Sequence, residues 1–220
     1  MSFTRAEIRE AMLLYAVTDR SWLRPGQTLP QVVARVLDHG ATFLQIREKD
    51  LDPKTFEAEA EVLKTLCRAR RVPFVVNDSV EIALACGADG VHVGQSDLQG
   101  RDIRAMIGPD RVLGISAGTV EEARAAERAG ADYIGVGAVF GTSTKQNART
   151  MNPQRLREIA GSVSIPVVAI GGIYASNISQ LAGCGADGVA VVSAIFGAED
   201  PGAATAELLT LARQMVASRG

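Results

Sequence analysis

The pair Gly-Ala recurs at Gly40, Gly87, Gly130 and Gly185, and each time an apolar run opens within three residues. The steps between copies are 47, 43 and 55 residues. Glycine past a helical stretch is a helix stop, because it takes the left-handed backbone that other residues resist. Each step is long enough for two strand–helix units, so four copies imply eight strands. The runs that qualify are Leu13–Thr18, Thr42–Arg47, Pro73–Val76, Gly90–Val93, Val112–Ser116, Tyr133–Gly137, Pro166–Ile170 and Gly188–Val192. Helical stretches alternate with them: Pro30–Asp38, Pro53 to Arg70, Ser79–Cys86, Arg101–Ile107, Thr119–Ala129, Pro153–Ala160, Ser176–Ala182 and Pro201–Ala217. Short buried strands joined by helices run parallel, and eight equal units leave no evident edge strand. The expectation is a closed (β/α)8 TIM barrel, one α/β domain over residues 1–220. An open doubly wound sheet is the alternative.

Charge and composition narrow the function. A formal net charge of −2 gives no electrostatic case for nucleic acid or an anionic membrane. No run of apolar residues is long enough to span a bilayer. The first ten residues, M-S-F-T-R-A-E-I-R-E, lack the apolar core of a signal peptide. Cys67, Cys86 and Cys184 are odd in number and lack metal-ligand spacing, so packing in a reducing cytoplasm is expected of them. A homo-oligomer is compatible with all of this.

In such a barrel the chemistry gathers at the C-terminal ends of the strands. Polar residues stand at nearly every such end here. Gln45, Arg47 and Lys49 follow the second strand, Asn77 and Asp78 the third, and Asp97 the fourth. Ser116 follows the fifth, Thr142, Ser143, Thr144 and Lys145 the sixth, Gly171 and Gly172 the seventh, and Ser193 the eighth. Asp78 and Asp97 end neighbouring strands; bare carboxylates roughly 5 Å apart repel by about 3 kcal/mol at an effective dielectric of 20. Mg2+, which favours one or two carboxylates plus phosphate oxygens, is the natural ion between them. Taken singly, Asp78 reads equally well as part of a helix N-cap and Asp97 as a turn residue. Gly171-Gly172 and Ser193 lie where such barrels often cradle a phosphate. Arg47, Lys49 and Lys145 add more positive charge than a single monophosphate requires. A diphosphate with a monophosphate accounts for it better.

The chain resembles the thiamine-phosphate synthases over residues 13–200. The resemblance rests on Y-A-V-T-D at Tyr15–Asp19, Q-I-R-E-K at Gln45–Lys49, N-D at Asn77-Asp78 and G-V-H-V-G-Q-S-D at Gly90–Asp97. G-A-D-Y-I-G-V-G at Gly130–Gly137, T-S-T-K at Thr142–Lys145 and A-I-G-G-I at Ala169–Ile173 complete it. It implies a transferase that joins hydroxymethylpyrimidine diphosphate to a thiazole phosphate and releases diphosphate. By the same resemblance, Gln45, Ile46, Arg47, Glu48, Lys49, Asn77, Ser116 and Lys145 hold the pyrimidine diphosphate. Thr142, Ser143, Thr144, Gly172, Val192 and Ser193 hold the thiazole phosphate, and Asp78 and Asp97 hold Mg2+. Arg47, Lys145 and Ser116 are the expected catalytic groups.

One departure bears on a related activity. The family often carries S-A-H-T after the fifth strand, and this chain reads Ser116-Ala117-Gly118-Thr119. A related thiazole tautomerase uses a histidine there for proton transfer, which Gly118 cannot supply. A phosphosugar isomerase or epimerase would explain Gly171-Gly172 and Ser193 but leave Asp78, Asp97 and Lys145 surplus. A regulatory relative would be expected to have lost Asp97 or Lys145. His92, inside the fourth strand, is expected to be a structural hydrogen-bonding residue, and His39 a surface helix cap.

Overall fold

The computed structural model describes residues 3–141 and 151–218. Eight strands, β1 Leu14–Val17, β2 Phe43–Ile46, β3 Phe74–Asn77, β4 Gly90–Val93, β5 Val112–Ala117, β6 Tyr133–Gly137, β7 Val167–Ile170 and β8 Gly188–Val191, pair in sequence order. All pairings are parallel, and β8 returns to β1, so the sheet closes as a barrel. The open-sheet alternative is thereby excluded. Helices α1 Arg5–Ala11, α2 Leu29–Asp38, α3 Pro53–Ala69, α4 Val80–Ala85 and α5 Ile103–Ile107 occupy the first half. In the second half lie α6 Val120–Arg128, α7 Pro153–Ala160, α8 Ser193–Phe196 and α9 Pro201–Ala217. Among the described residues no helix is long and apolar enough to cross a membrane.

The repeat has a physical function. Gly40, Gly87, Gly130 and Gly185 all take positive φ, between 65° and 102°, and the first three directly follow the C-caps of α2, α4 and α6. Two residues after each, a side-chain oxygen accepts the backbone N–H at the start of the preceding strand. Thr42 Oγ1 takes Leu14 N–H at 2.8 Å, and Asp89 Oδ2 takes Phe74 N–H at 3.0 Å. Asp132 Oδ2 takes Leu113 N–H at 2.8 Å, and Asp187 Oδ2 takes Val167 N–H at 2.7 Å. The barrel is thus four strand pairs, each latched at its floor by the residue that follows its own Gly-Ala.

Period-two alternation sorts the side chains between two cores. Leu14, Ala16, Leu44, Ile46, Val91, Ile115, Ile134 and Val189 face the helical shell. Tyr15, Val17, Phe43, Val75, Val112, Tyr133, Val168 and Ala190 fill the barrel interior. The interior cluster is completed from below by Ile8 and Met12 of α1 and its C-cap. This helix has no counterpart in the sequence expectation, because it is short and carries one buried residue. Thr4 and Glu7 start it with a reciprocal capping box.

Elsewhere most element ends shift by one or two residues. Ser79 caps α4 as expected, accepting Ile82 N–H at 3.2 Å. The helix expected over Ser176–Ala182 is only a 3-10 turn, Ile178–Leu181. The Asn177 side chain accepts Tyr174 N–H and donates to Gly172 O, both at 2.8 Å, which binds the backbone into a loop in place of a helical start. The four-residue α8 lies unrecognised in the sequence because Gly197 ends it at once.

Candidate active site

The barrel mouth is built from the residues at the C-terminal ends of the strands. On β2, alternation turns Gln45 inward and Ile46 outward. Gln45 is buried, and its Nε2 has no hydrogen-bond partner among the described residues. A buried amide donor without an acceptor costs about 1–3 kcal/mol, so this group is poised for a ligand atom. Ile46 is fully buried in the helical shell, so it can meet a ligand only through its main chain. The next residue, Arg47, is half-buried, and its N–H donates to the fully buried Thr18 hydroxyl at 2.9 Å. Thr18 N–H in turn donates to Gln45 O, so the ends of β1 and β2 are tied together. Lys49 is exposed at the rim.

Glu48 does something the resemblance does not imply. Its carboxylate meets Arg20 Nε at 2.6 Å, and the same guanidinium contacts Glu59 of α3. The Glu48 side chain is 2% exposed, and burial pushes its carboxyl above the usual range, with Arg20 opposing. A carboxylate already engaged by Arg20 serves to brace the loop that carries Arg47 and Lys49. As a direct ligand for a diphosphate it would add repulsion.

β3 and β4 bring the two aspartates to one edge of the barrel, since Asn77 pairs with His92 in register. Asp78 is exposed and has a left-handed backbone, φ 61°, which aspartate tolerates better than most residues. Its N–H donates to His92 O at 2.8 Å, and its Oδ2 accepts from Asn77 Nδ2 at 2.6 Å. The helix N-cap beside it is Ser79, so the capping role considered for Asp78 falls to its neighbour. Asp97 lies in a 3-10 turn, Gln95–Leu98, and its Oδ2 accepts Gly94 N–H at 2.8 Å. The turn role is therefore real, and it occupies one carboxylate oxygen. Among the described residues no three His, Cys, Asp or Glu side chains gather as a metal cage. The donor set is two hard carboxylates, which suits an ion that takes its other oxygens from substrate.

Ser116, half-buried on β5, receives the inner end of a polar chain. His92 Nε2 lies 3.0 Å from Ser116 Oγ, and His92 Nδ1 lies 3.0 Å from Tyr133 Oη. Gln95 Nε2 donates to Ser116 O at 2.5 Å, joining the turn that holds Asp97 to the same strand. His92 is hydrogen-bonded in place, as its position in a strand suggested. The reach of this network to Ser116 goes beyond that expectation. His39, by contrast, is exposed at the end of α2, with Nδ1 2.7 Å from Arg35 O.

The far side of the mouth is formed by residues 138–141 after β6 and by the loops after β7 and β8. Thr142, Ser143, Thr144 and Lys145 lie outside the described residues. Gly171 and Gly172 have φ 102° and 67°. A Cβ on Gly172 would stand 2.2 Å from Phe140 O and 2.4 Å from Gly141 O. The need for glycine there already follows from the packing of this loop on residues 140–141, before any phosphate is considered. Val192 is the N-cap of α8 and packs on the barrel interior, and Ser193 is the first residue of that helix. Tyr174 Oη lies 2.7 Å from Ser193 Oγ. Tyr174 and Thr18 are the rim groups that sequence reasoning missed. Thr18 lies within the Tyr15–Asp19 motif, whereas Tyr174 carried no pattern.

Known proteins match this arrangement along nearly the whole chain. The family described as thiamine monophosphate synthase matches residues 14–195. A thiamine-phosphate synthase of Ruminiclostridium cellulolyticum is 48% identical over 198 residues, covering 90% of this chain and 94% of that protein. One from Geobacillus thermodenitrificans is 46% identical over 217 residues, covering 96% of each. The solved thiamine phosphate pyrophosphorylase of Pyrococcus furiosus superposes with a TM-score of 0.87 at 38% identity, covering 95% of this chain and 99% of that one. With β1 through the start of α8 inside the matched span, and the same closed barrel in a solved relative, this chain belongs to the thiamine-phosphate synthase family.

Proposed function

We propose that the protein joins hydroxymethylpyrimidine diphosphate to hydroxyethylthiazole phosphate, giving thiamine phosphate and diphosphate, with Mg2+ as the metal. The observation that carries this reading is the buried Gln45 amide, a donor without an acceptor among the described residues, inside an otherwise matched barrel. A heteroaromatic ring presents acceptors of the kind that would complete it.

In the reaction the bond between the pyrimidine methylene carbon and the diphosphate oxygen breaks, and its electron pair leaves with the diphosphate. The thiazole nitrogen lone pair forms the new carbon–nitrogen bond. No activated serine or cysteine is needed, and the three cysteines are buried free thiols, which suits a reducing cytoplasm. Arg47, held by Thr18 at the end of β2, would clamp phosphate oxygens with its planar fork. Lys145 would neutralise the charge developing on the leaving group. Ser116 would orient the pyrimidine substrate. Gly172, Val192 and Ser193 would receive the thiazole phosphate, where the N-terminus of α8 and the Tyr174 hydroxyl add donors. Asp78 and Asp97 would hold Mg2+, which when bound shields the negative charge of the diphosphate.

The direct test is to incubate the protein with both heterocyclic phosphates and Mg2+ and to look for thiamine phosphate by chromatography. Formation of thiamine phosphate with stoichiometric diphosphate is expected. No product from intact substrates, with folded protein, would overturn the proposal.

A further inference from the structure

One line of polar groups crosses the barrel from its floor to its mouth. Tyr15 Oη on β1 lies 2.8 Å from Tyr133 Oη on β6. Tyr133 Oη lies 3.0 Å from His92 Nδ1 on β4, and His92 Nε2 lies 3.0 Å from Ser116 Oγ on β5. The barrel makes room for this line with glycine. A Cβ on Gly114 would stand 2.3 Å from Tyr133 Oη and 2.5 Å from His92 Nδ1, and one on Gly135 would stand 3.1 Å from His92 Cε1.

Hydrogen bonds in such a line share one direction, because each neutral phenol or hydroxyl has a single proton to give. The direction is set at the floor. Tyr15 is 2% exposed, with its ring 4.4 Å from that of Phe43 and with Ile8, Met12 and Val75 in the same apolar cluster. Among the described residues, Tyr133 Oη is the hydrogen-bond partner of the Tyr15 hydroxyl. If Tyr133 donated to Tyr15, the Tyr15 proton would be left without an acceptor in an apolar cluster, a costly arrangement. Burial also raises both phenols above their ordinary pKa, so both keep their protons.

We infer that the line runs from Tyr15 through Tyr133 and His92 to Ser116, so that His92 is held as the neutral Nε2–H tautomer and the Ser116 proton is donated into the mouth. Tyr133 donates to Nδ1, and Nε2–H donates to Ser116 Oγ. The serine hydroxyl then has its acceptor side filled from within. Its own proton is directed at an acceptor atom of the substrate, the pyrimidine diphosphate on the synthase reading above. Tyr15, Tyr133 and His92 are positioning residues, and Ser116 is the group that touches substrate.

The test is 15N NMR of the imidazoles in substrate-free protein, which depends on no assumed activity. The chain has two histidines, and a His39→Gln background leaves His92 as the sole signal. A pyrrole-like Nε2 and a pyridine-like Nδ1 are expected. A protonated Nδ1 with a bare Nε2 would overturn the inference. Tyr15→Phe should leave this tautomer in place, since Tyr133 keeps its proton for Nδ1. If the line ran the other way, the same variant would strand the Tyr133 proton and switch the tautomer. Tyr133→Phe should release the tautomer and lower kcat about tenfold, less than loss of a direct donor would. KM for the thiazole phosphate should stay unchanged, and Ser116→Thr should retain more activity than Ser116→Ala. A wild-type tautomer and wild-type kcat in folded Tyr133→Phe would also refute it. Failure of the wild-type protein to form thiamine phosphate would refute the synthase reading alone, because the tautomer is read without substrate.

Discussion

Gly114→Ala adds one methyl group to the centre of the barrel, and its cost can be worked from the surrounding atoms. The new Cβ would lie 2.2 Å from Tyr133 Cζ, 2.3 Å from its Oη and 2.5 Å from His92 Nδ1. Neither neighbour can withdraw easily. Tyr133 is fully buried, with ring centroids 5.5 Å from Phe43 and 5.9 Å from Tyr15, and His92 is tethered at both ring nitrogens. Overpacking a well-filled core costs about 1–3 kcal/mol. Pushing Tyr133 away from His92 also breaks a buried hydrogen bond, adding about 1 kcal/mol. The expected loss is about 2–4 kcal/mol. At roughly 2–4 °C per kcal/mol for a domain of this size, Tm should fall by roughly 10 °C. Gly118→Ala is the control, because among the described residues its Cβ would meet only Glu122 Oε2 at 3.4 Å, an ordinary contact. It should melt within roughly 2 °C of the parent. Thermal unfolding followed by circular dichroism reads both. Parental Tm and activity in Gly114→Ala would show that the interior can accommodate a methyl group there, and the packing account of the line would be wrong.

Arg47→Lys should lower kcat/KM for thiamine phosphate formation, followed by chromatography, by about tenfold or more, since a point charge replaces a two-pronged donor; parental kinetics would make Arg47 an ordinary rim charge. The Asp78→Ala, Asp97→Ala double variant should lose its response to added Mg2+ in an activity titration while keeping its far-UV spectrum, and full activity without metal would end the metal proposal. Burial raises the Glu48 carboxyl against the opposition of Arg20, so the folded state binds that proton more tightly than the unfolded chain does. Stability contributed by this group is therefore present below the ordinary carboxylate value of 4.5 and declines as pH rises through the raised one. Glu48→Gln should flatten that decline in urea midpoints measured from about pH 4 to about pH 8; an unchanged slope would place the cause elsewhere.

The barrel was legible because each of its steps is short-range. A glycine past a helix, an apolar run and a polar strand end can each be read within a few residues of one another. Four copies of one unit then fix the count. Alternation also carried the information that Ile46 faces the helical shell, although the resemblance had grouped it with its polar neighbours. What stayed hidden depends on contacts between distant residues. Glu48 is paired by Arg20, 28 residues away, and nothing local to Q-I-R-E-K announces that partner. Tyr15 and Tyr133 meet across 118 residues, which only the closed barrel brings together. The packing reason for Gly172 lies in carbonyls 31 and 32 residues earlier, at Gly141 and Phe140. In each case the residue stands in plain view in the sequence, and the contact that explains its placement does not.

The four floor latches carry a consequence for how the chain can be divided. Each latch joins a strand to the residue that opens the next one: Leu14 to Thr42, Phe74 to Asp89, Leu113 to Asp132 and Val167 to Asp187. None of these four joins one strand pair to another. A cut between β4 and β5, for instance at the exposed Gln99-Gly100, leaves all four latches within one fragment or the other. A cut at Gly87 separates Phe74 from Asp89 and leaves a strand start without its acceptor. Co-expressed halves divided at the first position should reassemble into an active barrel more readily than those divided at the second. The same geometry marks two consecutive strands with their helices, about a quarter of the circle, as the module from which a barrel of this kind could be built by duplication or recombined.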